Sequence, residues 1–132
     1  MQVKFAHSVI FVKDIEVSKR FYADLLGIKI IQDCGVFILF ENAFSIHQAK
    51  ELLNTVFKED IADGYDAQGK KNLEIYFECD ELDKVYSKLK EHNVEFIHGI
   101  EKQSWGQNVF RFYDPDRHVV EIGEPSFLRF YD

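Results

Sequence analysis

The side chains best suited to chemistry in this sequence stand at matching points of two similar segments. His7 lies in the apolar run FAHSVIFV, seven residues before Asp14, where a helical pattern begins. Glu74 lies in NLEIYFEC, seven residues before Glu81, where a second helical pattern begins, and both pairs are offset by 67 positions. An internal repeat outranks any local motif as a clue to architecture. The sequence therefore predicts two similar modules, each with a residue that can bind a metal at the same point.

Strand parity indicates which other side chains share the face of Glu74. The predicted strand 73–79 has an apolar row at alternate positions, so Glu74 points to the opposite, open face. The same alternation places Glu121 on the open side of the last strand and His47 on the open side of strand 44–48. We expect the following residues to converge there: His7, His47, Glu74 and Glu121.

Two imidazoles and two carboxylates would suit a borderline divalent cation such as Zn, Ni, Co, Mn or Fe(II), and ligand type alone does not choose among these. Four protein ligands on an octahedral ion would leave two positions for water or substrate oxygens, as a catalytic metal requires. For Glu74 or His47 taken singly, a polar residue on a solvated face is the favoured alternative.

The hydrophobic periodicity predicts the order βαβββ twice. In the first half the elements are a strand at 3–12, a helix at 14–26 that ends before Gly27, and strands at 29–33, 36–41 and 44–48. In the second half they are a strand at 73–79, a helix at 81–91, and strands at 94–98, 108–113 and 119–123.

These elements predict an α+β fold with two βαβββ modules in a single domain, 1–132. The modules cover 3–48 and 72–124, a linker with a short helix covers 49–71, and a C-terminal tail covers 125–132. We expect a concave eight-stranded mixed sheet with the helices on its outer face.

Composition restricts the class of partner. The chain has 132 residues, a formal net charge of −7 and a pI near 5.2, which disfavours a nucleic-acid partner and favours a small molecule. The two cysteines, Cys34 and Cys79, form no CxxC pair and are expected to be reduced thiols. Because we find no leader and no apolar run long enough for a bilayer, we expect a cytoplasmic protein with no membrane partner.

Three stretches carry a resemblance to a known superfamily: HSVIFVKDIEVSKRFYADLLGIKI, LEIYFECDELDKVYSKL and WGQNVFRFYDPDRHVVEIGE. Through them the chain, from about residue 4 to 124, resembles the vicinal oxygen chelate superfamily, which includes glyoxalase I, bleomycin-resistance proteins, fosfomycin-resistance enzymes and extradiol dioxygenases. The last stretch is the most specific, although Arg117 stands where the family commonly has Gly.

The resemblance implies a metal site and an activity. His7 and Glu121 fall on the first and last ligand positions of glyoxalase I, whereas His47 falls where that enzyme often has Glu, and Glu74 where it often has His. The implied function is a metal-dependent, glyoxalase-like lyase or isomerase that acts on a small oxygenated substrate through an enediolate. Glu121 would be the base, with Glu74 the second choice.

Two other functions stay open. The first is a metal-free binding module of bleomycin-resistance type, which fits the negative charge and the 15% aromatic content if the ligand is aromatic or cationic. The second is an extradiol-type dioxygenase with Fe(II), which is disfavoured because its facial triad has two His and one carboxylate.

Further side chains would surround the ligand positions. Arg111 alternates with Phe110 and Phe112, so we expect it on the open face, paired either with an anionic substrate group or, without a metal, with Glu74 or Glu121. His92 and His118 are predicted to be structural, and His98, for which we assign no partner, is predicted to be a polar residue on a solvated face. The expected pocket residues, which core packing would explain nearly as well, are Phe11, Phe37, Phe40, Tyr76, Trp105 and Arg111.

A homodimer is the expected assembly. Members of the superfamily of this length usually pair, and the sheet edges and the apolar tail 127–131 favour pairing here. Whether the modules pair within one chain or are swapped between subunits stays open.

Overall fold

The computed structural model describes residues 1–60 and 70–125. The chain divides into two compact units, 1–68 and 69–132, and the division falls inside the predicted linker 49–71. Each unit contains its own four-stranded mixed sheet. Nearly all of the predicted tail, and with it the apolar segment 127–131, lies outside the described residues.

Unit 1 is a βαβββ module followed by a helix. Its sheet has the order β1-β4-β3-β2, with β1 parallel to β4 and the other neighbours antiparallel. The predicted strand 3–12 is shorter than expected, so His7 lies immediately before it. The elements are β1 (Ser8–Val12), α1 (Ile15–Lys19), a π-helical segment (Arg20–Leu25), β2 (Ile30–Asp33), β3 (Phe37–Phe40), β4 (Phe44–Gln48) and α2 (Ala49–Phe57).

The first helix is continuous but changes its winding. Asp14 caps α1, since its Oδ1 accepts the backbone N–H groups of Glu16 and Val17. From Arg20 the winding is π-helical, and the chain leaves the helix at Gly27, whose φ of +74° suits glycine. The predicted helix 14–26 is therefore present in two parts.

One face of the unit 1 sheet forms its core. The ring of Tyr22, from the π-helical segment, meets Phe44 edge-on with centroids 5.0 Å apart, and Phe40 stacks on Phe44 at 5.2 Å. Phe40 is 1% exposed, and alternation along β3 places it on the face opposite Phe37. The structure thus corrects the expectation that Phe40 lines a pocket on the open face.

Unit 2 repeats the βαβββ order, which confirms the predicted α+β fold with two such modules. Its sheet has the order β5-β8-β7-β6, with β5 parallel to β8. The eight predicted strands are thus divided between two hydrogen-bonded sheets of four. The elements are β5 (Glu74–Glu78), α3 (Leu82–Glu91), β6 (Phe96–Lys102), β7 (Asn108–Tyr113) and β8 (Val119–Gly123).

An aromatic cluster forms the core of unit 2. Tyr86 of α3 contacts the rings of Phe96 and Phe110, with centroids 5.0 and 5.1 Å away. Phe110 and Phe112 are fully buried, so Arg111, which lies between them on β7, occupies the other face of the sheet. Within residues 1–60 and 70–125, no helix is long and apolar enough to cross a membrane.

Candidate functional site

In unit 1, His7 is oriented by Ser45. Its Nδ1 lies 3.0 Å from the Ser45 hydroxyl, and that hydroxyl, which is fully buried, donates to the carbonyl of Ser8 at 2.7 Å. Because the hydroxyl hydrogen is already used, His7 Nδ1–H is the donor, which leaves the lone pair on Nε2. An imidazole held in this way can bind a cation or accept a proton.

His47 lies two positions beyond Ser45 on the same face of β4. Its Nδ1–H donates to the carbonyl of Gln48 at 2.9 Å, so its Nε2 also keeps a lone pair. The ring of Phe37 contacts both imidazoles, with centroids 5.8 Å from His7 and 6.0 Å from His47. Phe11 is half-buried and pairs with His47 across β1 and β4.

The strand register shows which unit 1 residue corresponds to Glu121. Glu121 pairs with Tyr76, and Val9, which is 67 positions before Tyr76, pairs with Ser45. Ser45 rather than His47 therefore stands at the equivalent point of the repeat. Unit 1 has a hydroxyl where unit 2 has a carboxylate.

In unit 2, Arg111 holds the two predicted carboxylate ligands. Its Nε donates to Glu121 Oε1 at 2.7 Å and to Glu74 Oε1 at 3.1 Å. The antiparallel register places Arg111 directly opposite Glu121, whose side chain is 5% exposed. Of the two partners weighed for Arg111, the structure contains the ion pair with Glu74 and Glu121.

The other nitrogens of Arg111 reach β6 and the loop after it. Nη1 lies 2.9 Å from His98 Nε2, and Nη2 donates to Gln103 Oε1 at 3.3 Å. Since Arg can only donate, His98 accepts through Nε2, and its proton is on Nδ1, where it meets the carbonyl of Gly99 at 2.7 Å. We name Arg111, Glu74, Glu121, His98 and Gln103 the Arg111 cluster.

The pKa of the Glu121 carboxyl is affected by its burial and by its charged neighbours, Glu74 and Arg111. Burial raises the pKa of the Glu121 carboxyl most, and the neighbouring Glu74 carboxylate raises it further, whereas Arg111 lowers it. The net direction is upward. A proton is therefore held more readily at Glu121 than at an ordinary glutamate.

A second hydrogen-bonded chain orders two aromatic side chains. Gln107 is buried, accepts from Trp105 Nε1 at 2.8 Å, and donates to the Tyr76 hydroxyl at 2.7 Å. The Tyr76 hydroxyl donates in turn to Glu78 Oε2 at 2.6 Å. Burial and this contact with Glu78 raise the pKa of Tyr76 to about 12. Tyr76 and Trp105 are nonetheless 43% and 50% exposed.

Two other histidines occupy structural positions. His118 is buried, and its Nδ1 contacts Asp114 Oδ2 at 2.9 Å in the turn between β7 and β8. His92, which follows α3, bonds through Nδ1 to the carbonyl of Lys88. Both placements agree with the roles expected for these residues.

The four predicted metal ligands differ in how well they fit a cation. The imidazoles of His7 and His47 present lone pairs and can bind one, whereas Oε1 of Glu74 and Oε1 of Glu121 are already ion-paired with the Arg111 guanidinium. Among the residues that the structure describes, no three His, Cys, Asp or Glu side chains are grouped so as to hold a metal ion. The predicted four-ligand metal site, which draws two residues from each unit, stays a prediction.

Three residues of the site were not foreseen. The sequence predicts His98 to be a polar residue on a solvated face and singles out neither Gln103 nor Gln107. All three lie in the segment 96–107, between the start of β6 and the start of β7. β6 continues to Lys102 instead of ending at residue 98, and its register with β7 places His98 opposite Arg111.

A family model described as a glyoxalase-like domain matches residues 5–126. Because the match spans nearly the whole chain, the chain belongs to this family. A search of curated proteins found no match.

Solved structures agree with this membership. A protein of unknown function from Agrobacterium tumefaciens str. C58 is 43% identical, with a TM-score of 0.88 over 96% of this chain and 97% of the other. A lactoylglutathione lyase from Agrobacterium tumefaciens is 18% identical, with a TM-score of 0.69 over 94% and 95%. The fosfomycin resistance protein FosX from Listeria monocytogenes is 19% identical, with a TM-score of 0.69 over 97% and 98%. The last two show similarity of fold.

Proposed function

We propose that this chain is a small-molecule-binding protein of bleomycin-resistance type that works without a resident metal ion. The observation that carries the proposal is Arg111, whose guanidinium is already ion-paired with both Glu74 and Glu121. A divalent cation bound at these oxygens would be repelled by the guanidinium charge of Arg111. The site is partly buried, and such repulsion is strong there. The superfamily contains binding proteins as well as enzymes, so membership is compatible with this function.

The proposed ligand is aromatic and cationic. Tyr76 and Trp105 present exposed rings that Gln107 holds in place, and Glu78 puts a carboxylate on the Tyr76 hydroxyl. A cation over such a ring gains about 0.5–2 kcal/mol. The net charge of −7 would attract the same class of ligand from solution.

The test compares 10-methylacridinium with neutral acridine by fluorescence titration. The cation should bind more tightly, and Trp105→Ala should weaken its binding by about tenfold, in line with the loss of one ring contact. Phe57→Ala is the matched control, because Phe57 is an exposed aromatic residue of unit 1 on α2. Equal binding of both probes, or equal losses in both variants, would contradict the proposed ligand class.

Metal content supplies an independent test. Protein purified without an affinity tag or chelator should hold Zn, Ni, Co, Mn and Fe only far below one ion per chain. Near-stoichiometric metal that disappears in the double variant His7→Ala, Glu121→Ala would overturn the metal-independent function.

A glyoxalase-like lyase or isomerase is the second candidate, and the pairing of Glu74 with Glu121 favours it. A buried carboxyl with a raised pKa is suited to accept a proton from a carbon acid, as the base Glu121 would. A metal would supply polarisation of the substrate oxygens in such a reaction, and Fe(II) would be needed by the weaker dioxygenase alternative, but Arg111 engages the carboxylates that either would use.

This candidate is tested by turnover of hemithioacetals and epimerisable acids. Glu121→Gln should abolish turnover, whereas Glu91→Gln, an exposed position on α3, should leave it unchanged. Turnover that survives Glu121→Gln would remove the assigned base.

A further inference from the structure

Arg111 is surrounded by atoms of the kinds that ligate divalent cations. Its three nitrogens contact two carboxylate oxygens, one imidazole nitrogen and one amide oxygen, at distances between 2.7 and 3.3 Å. Carboxylate and amide oxygens suit hard cations, and imidazole suits the later transition metals. The guanidinium therefore occupies a place that a metal ion could occupy.

The backbone holds these groups independently of the Arg111 side chain. Arg111 pairs with Glu121 on β8 and with His98 on β6, so register alone brings the three positions side by side. His98 is further oriented by its Nδ1–H bond to Gly99, the arrangement that typically fixes a metal-binding imidazole. The polar groups would thus remain near one another if the guanidinium were absent.

The size of the guanidinium explains why these groups do not already form a metal site. Metal ligands lie at about 2.0–2.2 Å from a zinc ion, whereas the contacts with Arg111 are longer and radiate from three separate nitrogens. The acceptors are consequently held too far apart, consistent with the lack of a three-residue ligand group among the described residues. Glu74 and Gln103 are long side chains that can move inward.

We infer that Arg111 is an internal cation occupying a latent divalent-metal site, and that it determines whether the Arg111 cluster is metal-free or metal-bound. The inference rests on the proposed function in one respect only: the natural protein is metal-free. The ligands of the latent site are Glu74, Glu121, His98 and Gln103, so it includes two residues, His98 and Gln103, outside the predicted set.

The test is titration of the full chain with Zn²⁺ and with Mn²⁺, followed by calorimetry. The variants are Arg111→Ala, Arg111→Lys and the double variant Arg111→Ala, His98→Ala. Arg111→Ala should bind Zn²⁺ at least about tenfold more tightly than the natural chain, because a like charge is removed. Arg111→Lys keeps that charge and should not gain affinity. The double variant should lose the gain, which separates this site from any that depends on His7 and His47.

Thermal unfolding gives a second readout if Arg111→Ala is unstable, since the variant leaves two partly buried carboxylates without their cation. Zn²⁺ should then raise the Tm of Arg111→Ala but not of Arg111→Ala, His98→Ala. A natural chain that binds Zn²⁺ through Glu121 would overturn both this inference and the proposed function. A metal-free natural chain whose Arg111→Ala variant gains neither affinity nor Tm would overturn the inference alone.

Discussion

At the scale of single residues, the pKa of the Glu121 carboxyl is subject to opposing effects. Burial and Glu74 raise the pKa of its carboxyl from the ordinary value of 4.5, Arg111 lowers it, and the raising effects prevail. A carboxyl with a raised folded-state pKa binds more protons in the folded than in the unfolded state between the two pKa values. Its contribution to stability is therefore present at low pH and is lost as the pH rises through this window.

We predict that this pH dependence is removed by Glu121→Gln. The free energy of unfolding of the natural chain, minus that of the variant, should fall as the pH rises from 4.5 through the raised pKa of Glu121. Denaturant unfolding at a series of pH values measures the difference, and Glu91→Gln is the control. A difference that is flat or increases with pH would contradict the assignment.

The sequence was sufficient to predict the face on which Arg111 lies, but not which partner it contacts. Alternation with Phe110 and Phe112 was sufficient to place Arg111 on the open face, and the two carboxylates that it meets were both named. Whether Arg111 pairs with these carboxylates or with an anionic substrate group depends on side-chain geometry. Strand periodicity carries no information on that geometry. Alternation along β4 places both Ser45 and His47 on the open face, and only the register across β1 and β4 identifies Ser45 as the equivalent of Glu121.

At the scale of elements, the departures from the predicted pattern coincide with irregular backbone. The β6–β7 register shifts between Phe96 and His98 and again between His98 and Glu101, so a period of two could not be followed past residue 98. The π-helical segment likewise departs from a 3.6-residue period after Lys19. The regular strands 44–48, 108–113 and 119–123 were predicted with their observed bounds.

The close contact between β8 and the loop before β7 gives a prediction at this scale. A Cβ at Gly123 would lie 2.6 Å from Gln107 Nε2, and that amide is held by Tyr76 and the carbonyl of Glu124. Gly123→Ala should therefore destabilise the fold by about 1–3 kcal/mol, as overpacking does, and should alter Trp105 fluorescence. Denaturant unfolding followed by that fluorescence is the measurement.

A double-mutant cycle identifies the cause of this effect. In a Gln107→Ala background the amide is gone, so Gly123→Ala should cost clearly less, with only the 3.0 Å approach to Val109 remaining. An undiminished cost in that background would show that Gln107 is not the group displaced.

At the scale of the whole molecule, the sheet edges favour association. β2 and β6 are edge strands of their sheets, and they carry Ile31 and Ile97, which are 55% and 42% exposed. Open edges with apolar side chains are liabilities that proteins cover by pairing. We therefore propose, as the resemblance implied, that the chain forms a homodimer.

The prediction is a sedimenting mass of about twice the 15.5 kDa of the chain at micromolar concentration. The sedimenting mass of Ile31→Lys and of Ile97→Lys should each be compared with that of the natural chain. A charge on an edge strand opposes edge pairing, so the variant at the pairing edge should have the lower mass. Val56→Lys, at an exposed apolar position on α2, is the control. A monomer for the natural chain would contradict the proposed assembly.

The exchange of Ser45 for a carboxylate between the two copies has a consequence for their response to ionic strength. His7 and Ser45 are joined by a hydrogen bond that needs no net charge, whereas Glu74, Glu121 and Arg111 are joined by ion pairs. Dissolved salt weakens attraction between charges that water can reach and leaves neutral hydrogen bonds largely unaffected. Added salt should therefore weaken the more exposed Glu74–Arg111 ion pair more than the buried Glu121–Arg111 pair, and it should leave the His7–Ser45 hydrogen bond as it is.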